Sequence, residues 1–175
     1  NEAFRGCRFK EVVISNPNII WSGESQFGYN FKLEKISLPE EMTYIPPRFL
    51  ECCIELKDFR IPSDVKVIKS GAFNECYNLQ KLELPAGLEE IEDQAFSECN
   101  ALEEIVFPAS LKTLGAESCT NWTNIKRIYS MAAEPPVCKV NMNSGATPFY
   151  PGTPNDIPVY VPTGTAEKYR NAKGW

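Results

Sequence analysis

Histidine is absent from the 175 residues. With it go the commonest general base and the commonest metal ligand, so His-dependent triads and His-containing zinc sites are excluded. The seven cysteines contain no C-x-x-C pair, which leaves a four-cysteine zinc knuckle without support. Basic residues are the minority, 18 against 23 acidic, and a net charge of −5 disfavours a nucleic-acid partner. No apolar run approaches the roughly 20 residues a membrane-spanning helix needs, and no basic-then-apolar leader opens the sequence. Long helices are disfavoured as well, because 14 prolines and 10 glycines interrupt the chain. What remains is 43% hydrophobic against 23% charged residues, enough for a sizeable core built from many short elements.

The prolines reveal how those elements repeat. Pro39, Pro62, Pro85 and Pro108 are each 23 residues apart. The same step links Leu33, Leu56, Leu79, Leu102 and Ile125, and then Ile36, Phe59, Leu82, Ile105 and Ile128. It also links Leu38, Ile61, Leu84 and Phe107, then Met42, Val65, Leu88 and Leu111, then Ile45, Ile68, Ile91 and Leu114. Each unit closes on a small-then-large signature: AFNEC at 72–76, AFSEC at 95–99, FLECC at 49–53 and a degenerate SCTNW at 118–122. AFRGC at 3–7 is the tail of a further unit, after which the register slips by one and residues 16–30 fit poorly. A chain that starts inside a repeat reads as a fragment whose leader lies upstream.

A unit of 23 residues is too short to bury its own apolar side, so neighbouring units must stack into a solenoid with one continuous core. In L-x-x-I-x-L the last two apolar residues are spaced two apart, the strand period, and point inward together. The proline that follows offers no N–H to a ladder and ends the strand at the same level in each coil. The Ala-Phe step suits a short helical turn on the opposite side, with Phe4, Phe27, Leu50, Phe73 and Phe96 as an inner spine broken by Cys119. The expectation is an α/β, β-rich solenoid of right-handed sense with one parallel sheet. Residues 1–130 form the solenoid, irregular at 15–31, and residues 131–175 cap the same domain with two strands and a short helix over 165–172.

The pattern L-x-x-I-x-L-P-x-x-L-x-x-I-x-x-x-A-F-x-x-C resembles the BspA-like, Treponema-type leucine-rich repeat. It covers about residues 1–130, with its clean core from Leu33 to Cys99. Residues 133–138 (AEPPVC), 157–162 (IPVYVP) and 169–175 are similar to that family's C-terminal end. The resemblance implies a secreted or surface-displayed bacterial protein, in a family linked with adhesion to host matrix proteins or other cells. It implies no particular ligand.

The outward strand positions are where a solenoid of this kind meets a partner. The third position of each strand runs Glu11, Lys35, Asp58, Lys81, Glu104, Arg127, alternating in sign; the second runs Lys10, Glu34, Lys57, Gln80, Glu103, Lys126. With strands about 4.8 Å apart, each charge would sit between opposite neighbours, holding register and keeping the face soluble. A face whose charges cancel locally is a poor funnel for a polyanion. The fifth position, Val13, Ser37, Arg60, Glu83, Val106 and Tyr129, turns apolar toward the C-terminal strands. Candidate contact residues are therefore Asp58, Arg60, Lys81, Glu83, Glu104, Val106, Arg127 and Tyr129, centred on Val106 and Tyr129, with burial of Tyr129 under the cap as the competing account.

Other features read as structural. Cys7, Cys53, Cys76 and Cys99 share one column, but adjacent coils are too far apart, with parallel Cβ vectors, for disulfides, so buried thiols are expected. Without histidine no cysteine has its usual activating base. The acidic runs Glu89, Glu90, Glu92, Asp93 and Glu103, Glu104 lie on consecutive exposed positions, not across a cleft, which suits a solvated face better than glycoside hydrolysis or weak calcium binding. Residues 141–156 read as a long loop, with Phe149 and Tyr150 as anchors or contacts. The sequon at Asn121 falls beside Trp122 in the buried column. The reading is a noncatalytic module with no cofactor and no metal. It binds host or bacterial surface proteins through its sheet face; a spacer or display arm, or a carbohydrate-binding accessory, is the alternative.

Overall fold

The protein, seen in a computed structural model that describes residues 2–175, is a stack of about six coils. One strand of each coil carries the L-x-x-I-x-L motif. These are β1 (Glu11–Val13), β2 (Lys35–Ser37), β4 (Asp58–Arg60), β6 (Lys81–Glu83), β8 (Glu104–Phe107) and β10 (Arg127–Ser130), and the cap adds β12 (Val159–Tyr160) on the same side. In β2, β4 and β6 the middle residue is buried and its neighbours exposed, as period-two alternation requires. Leu56, Leu79 and Leu102 have no solvent exposure and occupy the same place in consecutive coils. The pairing is parallel and in register with the repeat: Asp58 faces Lys81, Glu104 faces Arg127, and Val106 faces Tyr129.

The side opposite differs from the single-sheet expectation. Five two-residue strands, β3 (Tyr44–Ile45), β5 (Val67–Ile68), β7 (Glu90–Ile91), β9 (Thr113–Leu114) and β11 (Val137–Cys138), make a second parallel sheet in the order β11-β9-β7-β5-β3. Its ladder is unbroken. Lys66 donates to the Thr43 carbonyl, Glu89 to Lys66, Lys112 to Glu89 and Val137 to Lys112, each at 2.8 Å. The first sheet, by contrast, falls into three hydrogen-bonded pieces: β1-β2, β4-β6 and β8-β10-β12. Between β2 and β4 the wide ring of Phe59 stands where other coils place Ile or Leu, and a cleft of about 210 Å³ opens there.

The Ala-Phe corners are not helical turns either. Two positions per corner have positive φ. One column is Ser25 (57°), Arg48 (50°), Gly71 (65°), Gln94 (56°) and Glu117 (59°); the other is Tyr29 (60°), Cys52 (59°), Glu75 (61°), Glu98 (63°) and Asn121 (59°). A left-handed residue ends helical progression, so each corner is a chain of tight turns, such as Ala72 to Lys69 (3.2 Å) and Cys76 to Phe73 (3.2 Å). The reward is lateral. Amides that a helix would use along the chain instead reach the next coil, as with Leu50 to Ala72 (2.8 Å), Phe73 to Ala95 (2.8 Å) and Phe96 to Ser118 (2.9 Å). The corner at 25–30 is fully in register with these, donating from Phe27 to Phe49 (3.1 Å) and from Tyr29 to Glu51 (2.7 Å), so the irregular stretch is confined to residues 15–24.

A column of side-chain donors locks successive coils. Asn30 Nδ2 donates to the Phe4 carbonyl (2.7 Å), Cys53 to Phe27 (3.4 Å), Cys76 to Leu50 (3.2 Å), Cys99 to Phe73 (3.3 Å) and Trp122 Nε1 to Phe96 (2.8 Å). The carbonyl oxygen has two lone pairs, and this column fills the one the backbone leaves. All seven cysteines are free thiols. Burial pushes the Cys53 thiol up to about 12 and raises those of Cys76, Cys99 and Cys119, because the thiolate cannot be solvated. The expected inner spine holds in part: Phe73 and Phe96 stack at 5.2 Å and Phe4 and Phe27 at 5.1 Å, but Phe4 is 45% exposed at the end of the stack.

The cap continues the coil pattern. β11 adds to the second sheet beside β9, and β12 adds to the first beside β10. The intervening loop takes the corner's place, because Glu117 donates to Thr147 (3.1 Å), Cys119 to Pro148 (2.8 Å) and Asn121 to Pro151 (3.1 Å). The helix α1 (Ala166–Asn171) presents Tyr169, whose hydroxyl lies 2.7 Å from Ser130 Oγ and donates to the Ala132 carbonyl at 2.8 Å. Trp175 Nε1 donates to Pro136 (2.9 Å).

Two predictions follow from the corners. Gln94→Gly relieves a left-handed non-glycine residue and should raise stability by about 0.5–1 kcal/mol in denaturant unfolding, while Gln94→Val should lower it by at least ~1 kcal/mol. In native protein a thiol reagent should modify Cys7 promptly and leave Cys53, Cys76, Cys99 and Cys119 unreacted until the chain is unfolded.

Candidate ligand-binding face

Strand alternation places the eight candidate residues on the solvent side of the first sheet, but the breaks in that sheet divide them. Glu104, Val106, Arg127 and Tyr129 lie on the continuous piece β8-β10-β12. Asp58, Arg60, Lys81 and Glu83 lie on β4-β6, which shares no hydrogen-bonded ladder with β8. The sequence pattern treats all the strands as equivalent and carries no sign of this division.

On the C-terminal piece, Tyr129 pairs with Val106 on one side and with Tyr160 on the other. The two tyrosine rings stack with centroids 4.8 Å apart and planes 17° from parallel. Val106 is 46% exposed and Tyr160 48%, with Tyr129 half-buried between them. The result is an apolar-aromatic row across three strands. Tyr129 is therefore flanked by a cap strand and not covered by the cap. Beside the row, Arg127 Nε donates to Glu104 (3.0 Å), and Lys126 lies 2.8 Å from Glu103. Tyr160 was not among the residues singled out from sequence. It lies 31 residues after Tyr129, off the 23-residue step, and its only signal was the alternation in IPVYVP.

The other group is partly committed to structure. Arg60 clamps onto Glu40 of the preceding coil with both terminal nitrogens, one at 3.3 Å, across the gap where β2 and β4 share no ladder. Glu40 also accepts the Ser63 amide at 2.8 Å. The Arg60 guanidinium, with help from that amide, holds the Glu40 carboxyl down at about 2. Asp58, Lys81 and Glu83 are exposed, in the register Asp58 to Lys81 and Arg60 to Glu83. The alternating charge columns close into ion pairs at three places, Lys10 with Glu34 (3.3 Å), Glu103 with Lys126, and Glu104 with Arg127, whereas Glu11 and Lys35, and Asp58 and Lys81, face one another across paired strands without a salt bridge.

The acidic run on the second sheet is consumed by neighbouring coils. Glu89 pairs with Lys112 (2.5 Å), Glu90 with Lys139 (2.7 Å) and Glu92 with Lys69 (2.7 Å), while Asp93 Oδ1 accepts the Ala116 amide (2.8 Å). Among the described residues no group of three or more Cys, Asp or Glu is arranged to hold a metal ion. In the cap loop Phe149 anchors against Trp175 (5.6 Å), whereas Tyr150 is 61% exposed. Trp122, next to Asn121 of the sequon, is fully buried.

The family model for the BspA-type leucine-rich repeat region matches residues 1–126 in six copies. The chain belongs to the BspA-type leucine-rich-repeat family. Solved structures of bacterial leucine-rich-repeat proteins share the fold. One from Bacteroides ovatus superposes with a TM-score of 0.66 at 26% identity, covering 75% of this chain and 40% of its own. A leucine-rich cell surface protein from Faecalibacterium prausnitzii gives 0.57 at 23%, covering 81% and 39%. One from Eubacterium ventriosum gives 0.51 at 23%, covering 70% and 36%. The chain thus spans about two fifths of the length of these solved relatives. No curated protein matches at a significant level. The BspA-type solenoid is a repeat scaffold, and no enzymatic family is indicated. Among the described residues no helix is long and apolar enough to cross a membrane.

The Arg60 clamp has a measurable consequence. Glu40 should titrate near pH 2 by NMR in the folded protein, and Arg60→Ala should return it to the ordinary carboxylate range near 4.5. Because the folded value is depressed, the contribution to stability is present above about pH 4.5 and lost as pH falls toward 2. Both groups are exposed, so salt should weaken the effect.

Proposed function

We propose that the chain is a noncatalytic protein-binding module displayed at a bacterial surface, with the row Val106, Tyr129 and Tyr160 as its contact centre and the Glu104–Arg127 pair as its polar rim. The observation that carries this reading is the stacked tyrosine pair, continuous with Val106, on a face whose other outward positions are mostly charged or polar. Aromatic and aliphatic side chains bordered by salt-bridged polar groups have the composition of a protein contact core. Long-range steering contributes little, because the flanking charges are already neutralised in pairs. Asp58, Lys81 and Glu83 form an outlying part of the same face, and Arg60 is partly withdrawn into its clamp.

A protein partner is favoured over a sugar by ring geometry. Tyr129 and Tyr160 stand face to face, so the two inner ring faces are closed to a pyranose and only the outer faces are left to stack on. Placement outside the cell rests on the family and on the surface location named for the Faecalibacterium relative. The partner class is a host matrix protein or another bacterial surface protein.

Binding to a panel of immobilised matrix proteins and to whole bacterial cells tests this. Tyr129→Ala with Tyr160→Ala should weaken capture about thirtyfold, the size of a contact-core loss, with the thermal midpoint little changed. Lys10→Glu, at the far end of the sheet, should bind as wild type. Undiminished capture by the double variant, or its competition by neutral sugars, would overturn the reading.

A further inference from the structure

The break between β2 and β4 leaves a cleft of about 210 Å³ in the middle of the first sheet. Outward residues line it, Lys35 and Asp58 among them, but so do the inward Ile36 and Phe59, so the cleft cuts between the strands. Strand geometry decides which backbone groups it exposes. A strand residue turns its amide and carbonyl to one side, and its neighbours turn theirs to the other. Lys35 and Ser37 face β1, where Lys35 donates to Lys10 (3.1 Å) and Ser37 accepts from Ile14 (2.9 Å). Lys57 and Ile61 face β6, where Lys57 accepts from Lys81 (3.1 Å) and Ile61 donates to Glu83 (2.9 Å). The residues in alternation with these therefore face the cleft, Ile36 from one wall and Asp58 and Arg60 from the other. Among the described residues none of their amides or carbonyls has a backbone partner, and neither has the Leu38 amide.

The charges around the cleft are of both signs. Lys35 and Asp58 occupy one column, a single repeat step apart on opposite walls, and among the described residues neither forms an ion pair. Arg60 is already neutralised by Glu40. The cleft thus offers an uncompensated cation, an uncompensated anion, and backbone donors and acceptors beside them, in a space that about seven waters would fill. Backbone groups left without a partner take water or a ligand.

We infer that the cleft is a binding site for a small zwitterionic α-amino acid, whose carboxylate meets Lys35 and the strand amides while its ammonium meets Asp58 and the strand carbonyls. The donor and acceptor set selects this ligand. A simple anion would satisfy the amides and leave Asp58 and the carbonyls against negative charge; a simple cation would leave Lys35 and the amides unmatched. An extended peptide has no room, because β2 and β4 are one coil apart and a third strand would need about 4.8 Å on each side. The volume limits the side chain to about that of glycine, alanine or serine. This site lies apart from the tyrosine row on β8-β10-β12 and does not rest on the function proposed for that row.

Titration of the isotope-labelled protein with glycine and with serine, followed by NMR, tests this. The amides of Ile36, Leu38, Asp58 and Arg60 should shift and saturate with a Kd on the order of 1 mM, as a ligand of so few atoms allows. Acetate and methylamine, which carry one charge each, should not saturate over the same range. Asp58→Asn and Lys35→Gln should each weaken glycine binding about fivefold, and because both side chains are exposed the thermal midpoint should hold. Tyr129→Ala with Tyr160→Ala should bind glycine as wild type, which separates this outcome from the test of the contact row. No saturable shift with either amino acid would mean that the cleft holds water only and would overturn the inference. Saturation by acetate as tight as by glycine, or glycine binding indifferent to Asp58→Asn, would reduce the site to one for a simple anion and overturn it equally.

Discussion

The structure depends on one constraint: the backbone amides of each coil find their acceptors in an adjacent coil at strand spacing, the following one at the corners and the preceding one along the second sheet. That lateral requirement forces every coil to repeat the same path, and so gives each of the 23 positions one environment for the whole stack. It accounts for the buried columns, for the two sheets and for corners that accept left-handed residues. A helix at the corner would satisfy its amides internally and leave the coils joined by side chains alone. The strain of a non-glycine residue at positive φ is tolerated because the stacked neighbours over-determine the backbone.

The same constraint decides what the surface can do. Outward side chains stand in rows one strand spacing apart, close enough for charges to neutralise along the row, as Glu103–Lys126 and Glu104–Arg127 do. A face organised in this way has few features of its own. Its chemistry comes from departures: Val106 and Tyr129 where the three preceding coils carry serine or charge, Phe59 where its neighbours carry Ile and Leu, and the cap strand that sets Tyr160 against Tyr129. Three adjacent strands, β8, β10 and β12, bring Val106, Tyr129 and Tyr160 side by side.

Much of the architecture was legible from the spacing of apolar residues. Leu79 and Leu82 are buried where a period-two strand at a 23-residue step puts them, and the thiols of Cys53, Cys76 and Cys99 are buried and unpaired. The corner conformation was not legible, because Ser25, Arg48, Gln94 and Glu117 share a positive φ without sharing a residue type, and the backbone demand is set by the neighbouring coil. The second sheet was missed because two-residue strands carry no alternation long enough to recognise. The donor column hides Asn30 and Trp122 among cysteines, which are alike only in offering a hydrogen to the same carbonyl.

The candidate face divides in the same way. Which side chains point outward followed from the pleat, a local property of the chain. Which of them act together did not, since Tyr160 joins Tyr129 through a pairing 31 residues distant and Arg60 leaves the face to grip Glu40. The sequence by itself determined the coil, its interior and the neutral charge rows, because these depend on residues one period apart. Tertiary structure alone decided where the sheet breaks and which rings stack, because those depend on how each coil sits against a neighbour that departs from the repeat.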